Sequence, residues 1–98
     1  MPKAFEFAPL HVATPGKIKT TVRYQDRHVA REFSPAVTIA AIIVWAIGPE
    51  GLNLQGDPTD FQLKLDGEVL PPDAHLGQIA RGKKEVTLDL VFKVKPQG

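Results

Sequence analysis

Residues Ser34–Gly48 read SPAVTIAAIIVWAIG, and whether they form a strand or a helix decides the class of fold. Propensity alone points to a strand, because the stretch is rich in β-branched valine, isoleucine and threonine. Three features outweigh it. The segment is too long for an ordinary buried strand. Pro35 breaks what precedes it, Thr38 is suited to cap a helix N-terminus, and Gly48-Pro49 is a strong stop. Ile39, Ile42, Ile43, Ala46 and Ile47 recur at helical spacing and so share one face. The opposite face, Ala40, Ala41 and Val44, carries no charge, which is unusual for a surface helix. It is expected to be covered by the N-terminal segment or to serve as a partner or self-association surface. Trp45 is either a core residue or an anchor in such a contact.

On both sides the pattern changes to period two. KIKTTVRY (Lys17 to Tyr24) sets Ile18, Thr20 and Val22 on one face, and HVAREF (His28 to Phe33) resumes after a polar turn, with Val29 and Phe33 inward. Arg31 falls on that inward face and interrupts the pattern. Beyond the helix, Pro49 to Asp60 reads as loop, with Leu52 and Leu54 pinned to the core. FQLKL (Phe61 to Leu65) is a strand with Phe61, Leu63 and Leu65 inward. Asp66-Gly67 signals a type I′ turn, and Val69-Leu70 is a short return. Pro71 to Lys84 is a crossing with one helical turn around Leu76 and Ile79. EVTLDLVFKV (Glu85 to Val94) closes the order, with Val86, Leu88, Leu90 and Phe92 inward and Asp89 and Val91 outward. A hairpin, a helix lying across a mixed sheet of four to five strands, and a late strand define an α+β roll. Residues 1–16, with three prolines, form an arm; 17–95 form the domain; 96–98 are a tail.

The chain has 98 residues, enough for one domain. Its net charge of +1 and scattered lysines argue against a nucleic-acid binder. It lacks cysteine, which excludes disulfides, thiolate metal sites and a cysteine nucleophile from this chain. The longest apolar run, Ile39 to Ile47, is far short of the ~20 residues that span a bilayer. These features lead us to expect a soluble, cytoplasmic protein that binds no nucleic acid and no membrane. His11, His28 and His75 are isolated, Ser34 is the sole serine, and no phosphate-loop or dinucleotide motif is present. An enzyme is not expected, nor a bound cofactor or metal.

The succession of elements, and the residues within it, resembles ubiquitin. From FQLKLDGEVLPPDAHLGQI (Phe61 to Ile79) onward, the turn glycine Gly67, Leu70, Asp73, Leu76, Thr87-Leu88 and Leu90-Val91 fall in register with it. FSPAVTIAAI and PEGL (Pro49 to Leu52) are similar to the stretches that begin and follow its helix. The resemblance covers about Lys17 to Lys95 and implies the β-grasp fold. Ubiquitin's recognition patch, an exposed isoleucine with a histidine and a valine, is matched here by Lys64, Asp89 and Val91. Eukaryotic ubiquitin receptors are therefore not expected to bind, since burying Lys64 or Asp89 costs more than it returns. Ubiquitin ends in a diglycine, whereas this chain ends Lys93-Val94-Lys95-Pro96-Gln97-Gly98.

The pattern is most similar to the ubiquitin-like modifiers of bacterial conjugation operons, whose tails often lack the diglycine. That resemblance implies E1-like and E2-like enzymes, a zinc-dependent deconjugating peptidase and target proteins as partners. It also implies that ATP is consumed by the activating enzyme rather than bound here. The implied acyl donor is Gly98, with Lys93, Val94, Lys95, Pro96 and Gln97 as the stretch read by the activating enzyme. Gly98 brings no side chain near the reacting carbon, and Pro96 holds its neighbourhood extended. Read without the resemblance, Lys-Pro-Gln-Gly is an ordinary polar tail. Two alternatives stay open: a non-conjugated interaction module and a sulfur carrier.

Overall fold

The computed structural model describes residues 16–93, which form a single five-stranded sheet with a helix packed across it. Residues 1–15 of the arm expected at 1–16, the last two residues of the domain expected at 17–95, and the tail expected at 96–98 lie outside the described residues. In chain order the elements are β1 (Ile18–Tyr24), β2 (Arg27–Phe33), α1 (Ile39–Ile47), β3 (Phe61–Leu65), β4 (Glu68–Val69), α2 (Leu76–Ala80) and β5 (Glu85–Phe92). A 3-10 turn, Pro58–Asp60, precedes β3.

The stretch Ser34–Gly48 is helical where its periodicity requires. The Thr38 hydroxyl accepts the Ala41 amide at 3.2 Å, and the Gly48 amide donates back to the Trp45 carbonyl at 3.1 Å. The five residues at helical spacing, Ile39, Ile42, Ile43, Ala46 and Ile47, are the helix's five buried residues. Against them the sheet presents Ile18, Thr20 and Val22 of β1, Val86, Leu88 and Leu90 of β5, and Phe61 and Leu63 of β3. Helical β-branched residues are tolerated because tertiary burial outweighs the few tenths of a kcal/mol of unfavourable propensity per residue. Thr20 alone brings a polar group into this layer, and its hydroxyl donates to the Ile18 carbonyl at 3.3 Å.

The strand order is β2-β1-β5-β3-β4. β5 lies at the centre, parallel to β1 (Val22 beside Leu88) and antiparallel to β3 (Leu63 beside Leu90). Both hairpins close tightly. Gln25 turns β1 into β2 with φ of 56°, while Asp66 and Gly67, with φ of 53° and 87°, make the expected pair of left-handed residues before β4. The second return is one residue early, Glu68–Val69 rather than Val69-Leu70, and Leu70 is buried beyond it.

Two differences from the sequence reading, and the Arg31 interruption it noted, have physical causes. The stretch Pro49 to Asp60 is not all loop: Asp57 caps the 3-10 turn by accepting the Thr59 amide at 2.9 Å, with Pro58 in the first helical position. β5 ends at Phe92 rather than Val94, and Phe92, on the inward face beside Phe61, is nevertheless exposed. It sits at the end of the sheet, where its ring meets the edge of Phe61 and no further layer among the described residues covers it. The misplaced Arg31 lies on an edge strand, and its guanidinium stands 5.4 Å from the centre of the Phe33 ring. A charge pointing inward on an edge strand discourages pairing with another sheet.

Past α1 the chain doubles back under backbone control. The amides of Leu52, Asn53 and Leu54 donate to the carbonyls of Ala46, Gly48 and Ile47, and Arg27 reaches from β2 to the Leu52 carbonyl at 2.7 Å. This path passes so near the helix that a β-carbon at Gly51 would lie 2.5 Å from the Trp45 carbonyl oxygen and 2.6 Å from that of Ala46. Gly51→Ala is therefore expected to destabilise the domain by about 1–3 kcal/mol, as overpacking does. Thr38→Ala should cost about 1 kcal/mol through loss of the cap. Urea unfolding of both variants checks the pair; Gly51→Ala at wild-type stability would contradict the close approach.

Candidate functional site

Two surfaces of this fold are available to a partner: the outer face of the sheet, and the side where α1 meets β3. The outer face is read directly from the strand registers. One row across it contains His28 of β2, Arg23 of β1, Asp89 of β5, Lys64 of β3 and Val69 of β4. A second contains Glu32, Lys19 and Glu85. Charges of opposite sign thus stand beside one another across neighbouring strands. In the first row the pairing is direct, with Arg23 Nε and Nη2 each 2.9 Å from Asp89 Oδ1. Both side chains are well exposed, so this ion pair is worth less than about 1 kcal/mol to stability. Its larger effect is on recognition, because an apolar partner would have to strip water from Arg23, Asp89 and Lys64 together.

The other surface is apolar. Ala40 and Val44 of α1, Phe61 of β3, Val69 of β4, and Leu70 and Pro72 line a groove of about 230 Å³, with Pro58, Thr59 and Lys93 at one end. Of the residues proposed from sequence for a partner surface, Ala40 and Val44 belong to this groove. Ala41 is exposed on the helix beside them. Trp45 is half-buried, and its ring packs edge-on against Phe33 of β2 with centroids 5.2 Å apart. It therefore anchors the helix to the edge strand, on the side of α1 opposite β3. Sequence reasoning did not find Phe61, Val69 or Pro72 as neighbours of Val44, because only the tertiary fold brings them together.

Lys93 is the last described residue and the base of the tail. Its amide donates to the Asp60 carbonyl at 2.8 Å, fastening the chain to the 3-10 turn just as it leaves the sheet. The other residues of the expected tail site, Val94, Lys95, Pro96, Gln97 and Gly98, lie outside the described residues. His28 is exposed on β2. His75 precedes α2, where its backbone amide donates to the Gln78 side chain at 2.9 Å. Among the described residues no three His, Asp or Glu side chains gather in a metal-binding cluster. No described helix is long and apolar enough to cross a membrane.

A five-stranded mixed sheet with central β5, a parallel β1–β5 pair and one helix across the inner face defines a ubiquitin-like β-grasp protein. Solved structures agree. A ubiquitin from Caldiarchaeum subterraneum superposes with a TM-score of 0.66 at 14% identity, covering 84% of this chain and all of that one. A de novo design based on ubiquitin gives 0.66 at 21% identity, covering 86% and 98%. A chain from the work described as molecular mimicry of SUMO promoting DNA repair gives 0.65 at 13% identity, covering 80% and 94%. A search of curated proteins by sequence returns no match. The family is given by residues 19–93, which match the sequence model described as BilA ubiquitin-like domain 2. The chain belongs to that family, the ubiquitin-like domains of bacterial ubiquitination-like (Bil) systems. Such a domain has a modifier fold and is not itself an enzyme.

The outer face also yields a test. In a nuclear magnetic resonance titration with a eukaryotic ubiquitin-receptor domain, Lys64, Asp89 and Val91 should show no saturating shift up to about 1 mM. Saturation at micromolar receptor would show that the paired charges are not the barrier described.

Proposed function

We propose that the domain is a protein modifier, activated at the carboxylate of Gly98 by an E1-like enzyme and conjugated to targets. What supports this reading is membership of a ubiquitin-like family from bacterial ubiquitination-like systems. The position of Lys93, exposed and held at the point where the chain leaves the sheet, is consistent with it.

The chemistry divides between this chain and its partners. A Gly98 carboxylate oxygen attacks the α-phosphorus of ATP on the activating enzyme; the bond to the β-phosphate breaks, and pyrophosphate leaves an acyl adenylate. A thiolate of that enzyme then attacks the acyl carbon and expels AMP, forming a thioester that passes by thiol exchange to an E2-like enzyme. A target amine displaces the thiolate, giving an isopeptide bond, and the proton lost by the amine goes to the departing sulfur. A target hydroxyl in the same role gives an ester. A deconjugating peptidase reverses the step by adding water. This chain has no cysteine, so every thiol in the sequence belongs to a partner. Its own contribution is to present an acyl carbon unhindered by a side chain, on a stretch whose Lys93 and Lys95 suit an acidic channel. Use of ATP by the activating enzyme is consistent with a cytoplasmic setting.

Intact-mass analysis after incubation with ATP and the E1-like enzyme of a Bil operon tests the reading. The wild-type chain should yield pyrophosphate and a thioester-linked adduct, and removal of Gly98 should reduce both to background. Equal yields with and without Gly98, or none with the wild type, would refute it.

A further inference from the structure

Among the described residues, the large apolar side chains left most exposed are Val44, Val69 and Phe92, each slightly more than half exposed at 54%, 52% and 53%. Scattered singly they would need no explanation. Two of them share one groove instead: Val44 and Val69 both line the space between α1 and β3, together with Phe61. Half-exposed apolar side chains bordering one apolar groove mark a contact surface.

The groove ends at the base of the tail, since Lys93 lines it. If Gly98 is the acyl donor, as proposed above, five residues separate its carboxylate from Lys93. A fully extended chain of that length spans about 17 Å. An enzyme reacting with the carboxylate must therefore lay its own surface against the part of the domain that surrounds Lys93. Toward the outer face of the sheet it would meet Arg23, Asp89 and Lys64. Toward the helix it meets a groove lined mainly by hydrocarbon, with Thr59, Gln62 and Lys93 as its polar residues. Burial of apolar area favours the second approach, and desolvation of charge opposes the first.

We propose that the groove formed by Ala40, Val44, Phe61, Val69 and Pro72 is the docking site for the ATP-dependent activating enzyme. The enzyme presents an apolar protrusion between Val44 and Val69 and a carboxylate to Lys93. The proposal rests on the activation reading, and it centres the contact on the α1 flank of the domain, with Val69 at its border beside Lys64, rather than on Asp89 and Val91 of the outer face.

The test is ATP–pyrophosphate exchange with the E1-like enzyme of a Bil operon, with the concentration of the full-length chain varied. Val44→Asp and Val69→Asp should each raise KM about ten-fold or more while kcat stays within about two-fold, as for residues at the centre of an interface. Lys64→Ala, on the outer face, should leave both unchanged. Circular dichroism establishes that each variant is folded; if an aspartate variant is not, Val44→Ser replaces it, with an expected rise in KM of about three-fold. Groove variants with wild-type KM, in a chain that is activated, would overturn the docking site and leave the activation reading standing. A rise in KM confined to Lys64→Ala would likewise overturn it, in favour of the outer face. Absence of exchange with the wild type overturns the activation reading and the docking site with it. Two other occupants have their own signatures. If deletion of residues 2–15 lowers the melting temperature as much as Val44→Asp does, the groove is filled by the N-terminal segment. If light scattering shows a dimer that Val44→Asp dissociates, a second copy fills it. Either outcome also overturns the proposal.

Discussion

The parallel pairing of β1 with β5 is the constraint on which the rest of the domain depends. It joins strands from opposite ends of the chain, so that Arg23 and Asp89, 66 residues apart, stand side by side. Everything between them must fit into the space the pairing leaves. α1 crosses the inner face because its five apolar residues meet there the apolar residues of both paired strands. β3 completes the centre by covering the other side of β5, and the short β4 finishes the sheet. Closing so long a loop is entropically unfavourable until the core compensates, which makes the core and the pairing mutually dependent.

Much of this architecture was legible because it rests on local periodicity. The alternation in Lys17 to Tyr24 and Glu85 to Phe92 could satisfy only a sheet with one face buried. The spacing of Ile39, Ile42, Ile43, Ala46 and Ile47 could satisfy only a helix, whatever the preference of isoleucine for strands. Where the reading failed, a local pattern met a boundary. Phe92 continues the alternation of β5 but falls at the end of the sheet, so its parity is inward while its environment is solvent. Arg31 interrupts the alternation of β2 because an edge strand has needs that a central strand does not. The Asp57-Pro58 pair before β3 was a helical start signal that a loop rich in glycine and proline obscured.

The groove belongs to a different category. The uncharged outer face of α1 was visible in the sequence as an anomaly, and so was the replacement of ubiquitin's apolar patch by Lys64 and Asp89. Nothing in the order of residues, however, places Val44 beside Val69 or sets Lys93 at the end of the space they share. That neighbourhood is produced by the return of β4 along β3 and by the hydrogen bond that holds Lys93 to Asp60. Two independent losses and gains of surface character therefore become one pattern only in three dimensions: the sheet face is charged and the helix flank is bare.

The topology has a mechanical consequence as well. β1 begins at one end of the sheet and β5, running in the same direction, finishes at the other. A pull that draws the start of β1 away from the end of β5 thus acts along both strands and tries to slide one past the other. The backbone hydrogen bonds between them share that load simultaneously instead of opening one after another like a zipper. Anything attached through the C-terminal side of Lys93 and dragged against the N-terminal side would work against the strongest direction of the domain, whereas a pull that peels β2 from the edge would meet the weakest.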